Sequence, residues 1–370
     1  MTSSLKISKG GKLSVESRIK VDKNNISQVY TPGVAEVVKE AIKSKRKADE
    51  YTWRGNLVAV ISDGSAVLGL GNQGADGALP VMEAKSVLFK ELGGVDAIPI
   101  VVSTQDKEEI IETIKRIAPS FGGINLEDIS APRCFEIEER LREELNIPVF
   151  HDDQHGAAIA ILAGLINATK VAGKNLKTAN IVVSGAGAAG VATIRLLHAY
   201  GCRGLALFDS RGGICNTCVN PTKEKEEIAR MNNLDNPSTT LKEALVGADI
   251  FIGLSVGNLL KSEDIATMNE KPIVFALANP VPEISPEDAR TGGAFIIGTG
   301  RSDFPNQINN ALVFPGVFKG LLEERKKQIN IQTEIRVAKA IAGLVKKPTR
   351  NKLLPTVTNK QVPKAVAKAV

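Results

Sequence analysis

Three observations predict an α/β protein of two domains. Short β-branched apolar runs alternate with segments of helical spacing through most of the 370 residues, the pattern of parallel sheets with crossover helices. One run, Asn180–Ser184, leads straight into Gly185-Ala186-Gly187-Ala188-Ala189-Gly190 and then a helix. Two other runs, Gly123–Leu126 and Ile147–Phe150, each end in paired acidic residues. A chain of this length has two domains as its prior. The boundary is expected around the long apolar helix Ala157–Thr169, giving units of residues 1–160 and 161–370.

In chain order, residues 1–30 are polar and loosely held until Val29. Tyr30 precedes the turn Thr31-Pro32-Gly33 and the amphipathic segment Val34–Ile42, placed either to present its hydroxyl or to pack. Leu57–Ser62 reads as a strand stopped by Asp63-Gly64. A short run, Ala66–Leu70, leads into the turn-rich Gly71–Gly74. The spacing predicts a helix over Leu79–Leu92 with Pro80 near its first position, where the missing N–H costs nothing. Lys85 falls on its apolar face with Val81, Ala84 and Leu88. Its ammonium either reaches water along its own stem or is partly buried; burial disfavours the charged form, lowers the pKa and makes a usable base.

From Ala97 the alternation is regular: strand Ala97–Val102, helix Lys107–Ile117, strand Gly123–Leu126, helix Cys134–Leu145, strand Ile147–Phe150. If the last two strands are parallel, Glu127, Asp128, Asp152 and Asp153 converge on one sheet edge, where open α/β sheets bind ligands. Up to four carboxylates with no thiolate among them suit Mg²⁺ or Mn²⁺ rather than zinc or copper.

The glycine motif gains specificity from its setting: a strand before, a helix after, and Asp209 at the end of the next strand, Leu205–Phe208. The first glycine permits the tight turn, the second lets backbone approach a pyrophosphate, and the third allows helix–strand packing. The helix N-terminus supplies N–H donors. Asp209 would accept from a ribose 2′-OH, which points to NAD⁺, while Arg211 two residues on could accommodate the phosphate of NADP⁺. Strands Asp249–Leu254, Ile273–Ala278 and Ala294–Gly298 complete the second half, with Ser285 capping a helix between the last two. The polar stretch Gly300–Asn310 is a candidate carboxylate binder, and the lysine-rich C-terminus from Lys346 reads as a surface helix or tail.

Composition excludes several classes. With 43% hydrophobic and 24% charged residues, this is an ordinary globular composition. No apolar run reaches the roughly 18 residues that suggest a membrane span. The N-terminus lacks the apolar core of a secretory signal, so a cytoplasmic address is expected. The net charge of +6 comes with only three Tyr and one Trp. Its denser basic runs, Lys43–Lys47 and Lys346–Arg350, read as solvated helix ends or tail, so a small anionic substrate is expected rather than nucleic acid. Four cysteines make no disulfide framework. Cys134 and Cys202 read as core residues, and Cys215-x-x-Cys218 is a lone pair open to a metal or redox role.

Taken in order, the motifs resemble the malic enzymes in their short prokaryotic form. Val29-Tyr30-Thr31-Pro32-Gly33-Val34-Ala35-Glu36 is similar to that family's tyrosine motif. Leu68-Gly69-Leu70-Gly71 followed by Pro80-Val81-Met82-Glu83-Ala84-Lys85 is similar to its lysine segment. The runs INLEDI, FHDDQHG, GAGAAG, ALANP and GRSDFPNQINN follow in sequence, so the resemblance covers residues 28–345. It implies an N-terminal malic enzyme domain, an NAD(P)-binding Rossmann domain, and oxidative decarboxylation of L-malate to pyruvate and CO₂. It implies Lys85 as general base, Tyr30 as general acid, and Glu127, Asp128 and Asp153 as Mg²⁺ or Mn²⁺ ligands, with Asp152 outside the set. Asn279 and Asn309 or Asn310 would hold substrate or nicotinamide ribose. A homodimer is likewise implied. Eukaryotic-type members carry an arginine before the V-L-G-L-G run to grip a substrate carboxylate, and this chain has Ala66 there. The competing readings are an amino-acid or hydroxy-acid dehydrogenase that does not decarboxylate, and a non-enzymatic dinucleotide sensor.

Overall fold

β1 (Leu57–Ser62) is buried along its whole length, as its apolar run Leu57–Ile61 requires of a strand covered on both faces. Around it the computed structural model, which describes residues 2–218, 222–232 and 239–370, builds the first of two sheets. β2 (Asp96–Val101), β3 (Gly123–Leu126) and β4 (Val149–His151) join β1 in the order β2-β1-β3-β4, all parallel. Pro99, which cannot donate to a ladder, is tolerated because β2 lies at the edge. Since β3 and β4 run parallel in register, with Leu126 opposite His151, their acidic ends emerge on the same edge.

The second sheet holds β5 (Asn180–Ser184), β6 (Gly204–Asp209), β7 (Gly212–Gly213), β8 (Ile250–Gly253), β9 (Ile273–Ala276) and β10 (Ile296–Thr299). The order is β10-β9-β8-β5-β6-β7, parallel except for β7. Strand order reverses about β5, between β8 and β6, which creates the crevice where doubly wound sheets bind nucleotides. The chain thus has the expected α/β architecture with a Rossmann-like second half.

A helical run from Asp152 to Ala172 connects the sheets. By length and apolarity it would suffice to cross a membrane, yet 78% of its most apolar window is buried inside the protein. Gly164 lets it approach Phe275 of β9 and Ile308, so one apolar core continues from the first sheet to the second.

Two expectations are corrected. The lysine helix spans Gly74–Leu88, followed by a wide turn over Phe89–Gly93, so Pro80 lies inside it and not at its start. Its beginning is fixed from outside: the Gly64 carbonyl accepts from both Gln73 and Gly74 N–H, a long-range anchor invisible to local spacing. The C-terminal segment is not a surface tail. Its helix Gln361–Ala369 buries Val362, Pro363, Val366 and Ala367, with Val366 against Gly316 and Ala367 against Gly320 of the Phe314–Glu323 helix. Lys364 and Lys368 face outward. Phe314 and Phe318 of that second helix pack on Phe89, with ring centroids 4.7 and 5.3 Å away. The chain therefore returns from the second sheet to close the first.

Candidate active site

The carboxyl ends of β3 and β4 deliver four buried or half-buried acids. Glu127, Asp128 and Asp153 each place an oxygen within 4.8 Å of the others. Asp153 accepts from the Asp128 N–H at 2.8 Å, and Asn125 donates to Glu127 at 3.1 Å. The Asp128 carbonyl accepts from the Ala66 N–H at 3.0 Å, tying the Asp63–Ala66 turn to the cluster. Burial first, then Asp153 and Glu127, pushes the Asp128 carboxyl up to about 9. Burial also raises Glu127 to about 7 against the pull of Lys85, and raises Asp153. One Asp128 oxygen is buried without a hydrogen-bond partner. Three hard oxygen donors crowded at this cost, one of them unpartnered, fit a divalent cation of the Mg²⁺ or Mn²⁺ kind.

Asp152 does something different. Its fully buried carboxylate pairs with the Lys85 ammonium, which also lies 2.9 Å from Glu127. Lys85 is buried, not extended to water, and its ammonium sits 4.4 Å from the centre of the Phe314 ring. Burial would lower its pKa as expected from the sequence, but Asp152, Glu127 and Asp153 outweigh that, and the group sits above its ordinary value. The expectation of a depressed lysine is thus reversed in sign, because three acids arrive from other elements.

The dinucleotide loop follows β5. Gly185 sits at φ 108 with the Leu254 carbonyl beside it, and Gly190 lies against the Gly185 carbonyl, where a side chain would collide. Around Gly187, at the start of the Ala188–Tyr200 helix, there is nothing within 4 Å of a would-be Cβ. That open space beside Ala186, Ala188 and Ala189 is what a pyrophosphate approaching the helix N-terminus needs.

Comparison with known proteins agrees with this geometry. Residues 11–142 match the family description "Malic enzyme, N-terminal domain", and residues 154–370 match "Malic enzyme, NAD binding domain". The chain belongs to the malic enzyme family. It is 51% identical to a bifunctional malic/malolactic enzyme of Bacillus subtilis, over 97% of this chain and 89% of the relative. It is 47% identical to an NADP-dependent malic enzyme of Halomonas elongata, over 93% of this chain and 82% of the relative. The crystal structure of an NAD-dependent malic enzyme from Thermotoga maritima superposes with a TM-score of 0.95 at 46% identity, covering 100% of this chain and 99% of that one.

Within this malic enzyme fold, several other candidate residues gather near the acids. Gly69 abuts the Asn279 carbonyl, and the same Ala66–Leu70 segment is tied to Asp128 through the Ala66 N–H, so the Asn279 loop lies beside the cluster. Asn310 lies against Gly156 of the acidic turn, 3.1 Å from a would-be Cβ. Asn309 is occupied locally, accepting from the Ala311 N–H at 2.8 Å. Asp209 has both oxygens engaged: one accepts from the Arg211 N–H at 2.8 Å, the other pairs with Lys225. Tyr30 is not brought into this network; it is 69% exposed in the N-terminal segment. Cys134 and Cys202 are buried and free, and Cys215 and Cys218 form a disulfide.

Sequence reasoning missed three groups here. Lys225 reaches Asp209 from a helix, Lys223–Ala229, that starts beyond the strand ends. Buried Asp63 holds Arg133 at 2.9 Å. Glu138 lies on the buried face of the Arg133–Glu144 helix with Cys134, Ile137 and Leu141, a charged residue in an apolar stripe and the same signal that singled out Lys85. Burial would raise the Glu138 carboxyl, but His155 brings it down to about 2. Burial would likewise lower His155, but Glu138 and Glu334 lift it to about 10. His151, buried with neither ring nitrogen hydrogen-bonded, is pushed down to about 4 by burial and is neutral.

Proposed function

We propose that this protein oxidises and decarboxylates L-malate to pyruvate and CO₂, reducing NAD⁺ or NADP⁺, with Glu127, Asp128 and Asp153 holding Mg²⁺ or Mn²⁺. The observation that carries the reading is the buried Lys85, bonded to Asp152 and Glu127 at the rim of the acid cluster. A hydroxy-acid oxidation needs a proton acceptor at the C2 hydroxyl, and a β-keto acid loses CO₂ readily once its ketone is polarised. When bound, the cation supplies that Lewis-acid polarisation.

The chain's own residues account for the protons. Two of the three acids that keep Lys85 charged, Glu127 and Asp153, are acids a cation would neutralise, so a loaded site weakens the hold on its proton and shifts Lys85 toward the neutral amine. Lys85 then takes the C2 hydroxyl proton as hydride leaves C2 for the nicotinamide. The C3–C4 bond breaks, CO₂ departs, and Tyr30 returns a proton to C3. Asn279 and Asn310 flank the acids and orient substrate and nicotinamide ribose.

Tyr30 reaches a site by dimerisation. Leu13, Val15, Ile19, Val34, Val37, Ile42 and Trp53 are exposed apolar residues of the same N-terminal region, a surface suited to a second copy of this chain. In the homodimer Tyr30 serves its partner's Lys85. For the cofactor, Lys225 and Arg211 offset the Asp209 charge that would repel a 2′-phosphate, so both dinucleotides are accepted.

The test is initial rates with malate, Mn²⁺ and each dinucleotide, with pyruvate and CO₂ measured. Stoichiometric pyruvate, CO₂ and reduced dinucleotide, abolished by EDTA, is the expected result. Oxidation that survives EDTA without CO₂ would favour a simple dehydrogenase. Dinucleotide binding without turnover would favour a sensor.

A further inference from the structure

The turn Asp152–Gly156, which carries both Asp153 and the partner of Lys85, is gripped from behind by a carboxylate with no part in the chemistry above. Glu138 is 4% exposed. One of its oxygens accepts from the His151 backbone N–H at 3.0 Å. The other lies 2.9 Å from the Gln154 amide, which donates to it, and 3.0 Å from His155 Nε2. These contacts bracket Asp152 and Asp153 on both sides. His155 Nδ1 lies 2.9 Å from Glu334, also buried, in the first turn of the Ile331–Gly343 helix. With a carboxylate at each ring nitrogen, both nitrogens donate. Arg142 stands 3.9 Å from Glu138.

Packing alone does not call for this arrangement. Taking charges out of water costs several kcal/mol per ion, and an apolar side chain at Glu138 would continue the stripe of Cys134, Ile137 and Leu141. Directed hydrogen bonds are what the carboxylate adds, and they end on the residues flanking Asp152 and Asp153. The turn has little slack: Gly156 lies against the Asp152 carboxylate on one side and Asn310 on the other. A small displacement would move a cation ligand, the Lys85 partner and a substrate-binding candidate together.

We propose that Glu138, His155 and Glu334 form a clamp that fixes the acidic turn, so that Glu138 and Glu334, touching neither substrate nor metal, set the affinity for the divalent cation. They are positioning residues, and the inference rests on reading Glu127, Asp128 and Asp153 as the cation site. Removing an outer partner of a metal site typically lowers metal affinity about 10- to 100-fold.

The test titrates Mn²⁺ into the full-length protein without substrate or dinucleotide, following free Mn²⁺ by electron paramagnetic resonance, with thermal melts alongside. Glu138→Gln is expected to raise the Mn²⁺ dissociation constant about tenfold or more, because an amide offers only one acceptor oxygen to three donors. Glu334→Gln is expected to give a smaller rise. The double variant should lose less than the two effects combined, since both act through His155. Folded variants that melt lower but bind Mn²⁺ as wild type does would overturn the clamp. If Glu138→Gln fails to fold, Glu334→Gln alone decides by the same criterion. A wild-type protein that binds no Mn²⁺ would overturn the cation site itself, and the clamp with it.

Discussion

Replacing Asp152 by asparagine removes the charge facing Lys85 and keeps the shape. Asp152 is fully buried with one oxygen on Lys85, and Lys85 retains Glu127 at 2.9 Å. Two unit charges in contact at an effective dielectric constant of ~20 attract by on the order of 5 kcal/mol, a ceiling of about four pKa units. The remaining Glu127 and Asp153 charges absorb much of this, leaving an expected fall in the Lys85 pKa of about 1–2 units. Lys85 must lose its proton to act as a base, so activity rises with pH through its pKa. The acid limb of kcat/KM for malate should therefore move to lower pH in Asp152→Asn. Stability follows by linkage. A lysine pKa raised on folding stabilises the protein below the unfolded value and loses that contribution as pH rises through the folded one. The variant forfeits part of this at neutral pH. Breaking a buried pair costs about 3–5 kcal/mol, and the surviving Glu127 contact reduces it to roughly 1–3 kcal/mol, seen as a lower melting temperature. The assay is a pH profile of kcat/KM at saturating Mn²⁺ and dinucleotide, paired with thermal melts. An acid limb that stays in place in a folded, metal-loaded variant would refute Lys85 as the base whose proton Asp152 controls.

Because burial and mutual repulsion raise Glu127 to about 7 and Asp128 to about 9, cation binding must expel protons. Mn²⁺ should raise the melting temperature more at mildly alkaline than at mildly acidic pH, and a pH-independent shift would count against the ligand set. Mixing inactive Tyr30→Phe and Lys85→Ala proteins, allowing subunit exchange and assaying malate oxidation tests the shared site. A site shared across a two-fold dimer should recover about a quarter of wild-type activity, whereas sites confined to one subunit should recover none. Lys225→Gln should raise KM for NADP⁺ more than for NAD⁺, since it removes a cation from beside Asp209; equal changes for both dinucleotides would disprove the assignment.

How much of this was legible beforehand depended on how local each signal is. The helix Lys107–Ile117 and the strands Gly123–Leu126 and Asn180–Ser184 appear with the bounds their spacing and turns imply, because those cues sit within the segments themselves. The glycine loop was readable for the same reason: the backbone at Gly185 and the crowding at Gly190 are properties of one turn. Pro80 misled because the Gly64 carbonyl, not the proline, sets where its helix begins. The C-terminal helix misled because its lysines are plain in the sequence while the groove at Gly316 and Gly320 is not.

Lys85 marks where one-dimensional reasoning stops. Its place on an apolar stripe signals burial, and burial alone predicts a lowered pKa. The direction of the shift is decided by Asp152, Glu127 and Asp153, two of them more than sixty residues away along the chain and brought in only when β3 and β4 pair in register beside β1. The same closure explains why four acids are needed where three are grouped for a cation. Asp152 without Lys85 would be a buried carboxylate with no cationic partner. Lys85 without Asp152 would lean on Glu127, whose charge a metal would take up, and the amine would then keep no carboxylate to orient it or to share the proton it accepts. A fourth carboxylate outside the ligand group lets the lysine hold its proton partly in common with Asp152, so that cation binding weakens this hold without abolishing it. That division of labour is a property of the assembled edge of the sheet, which is why Asp152 and Asp153, adjacent in sequence and alike in chemistry, do different work.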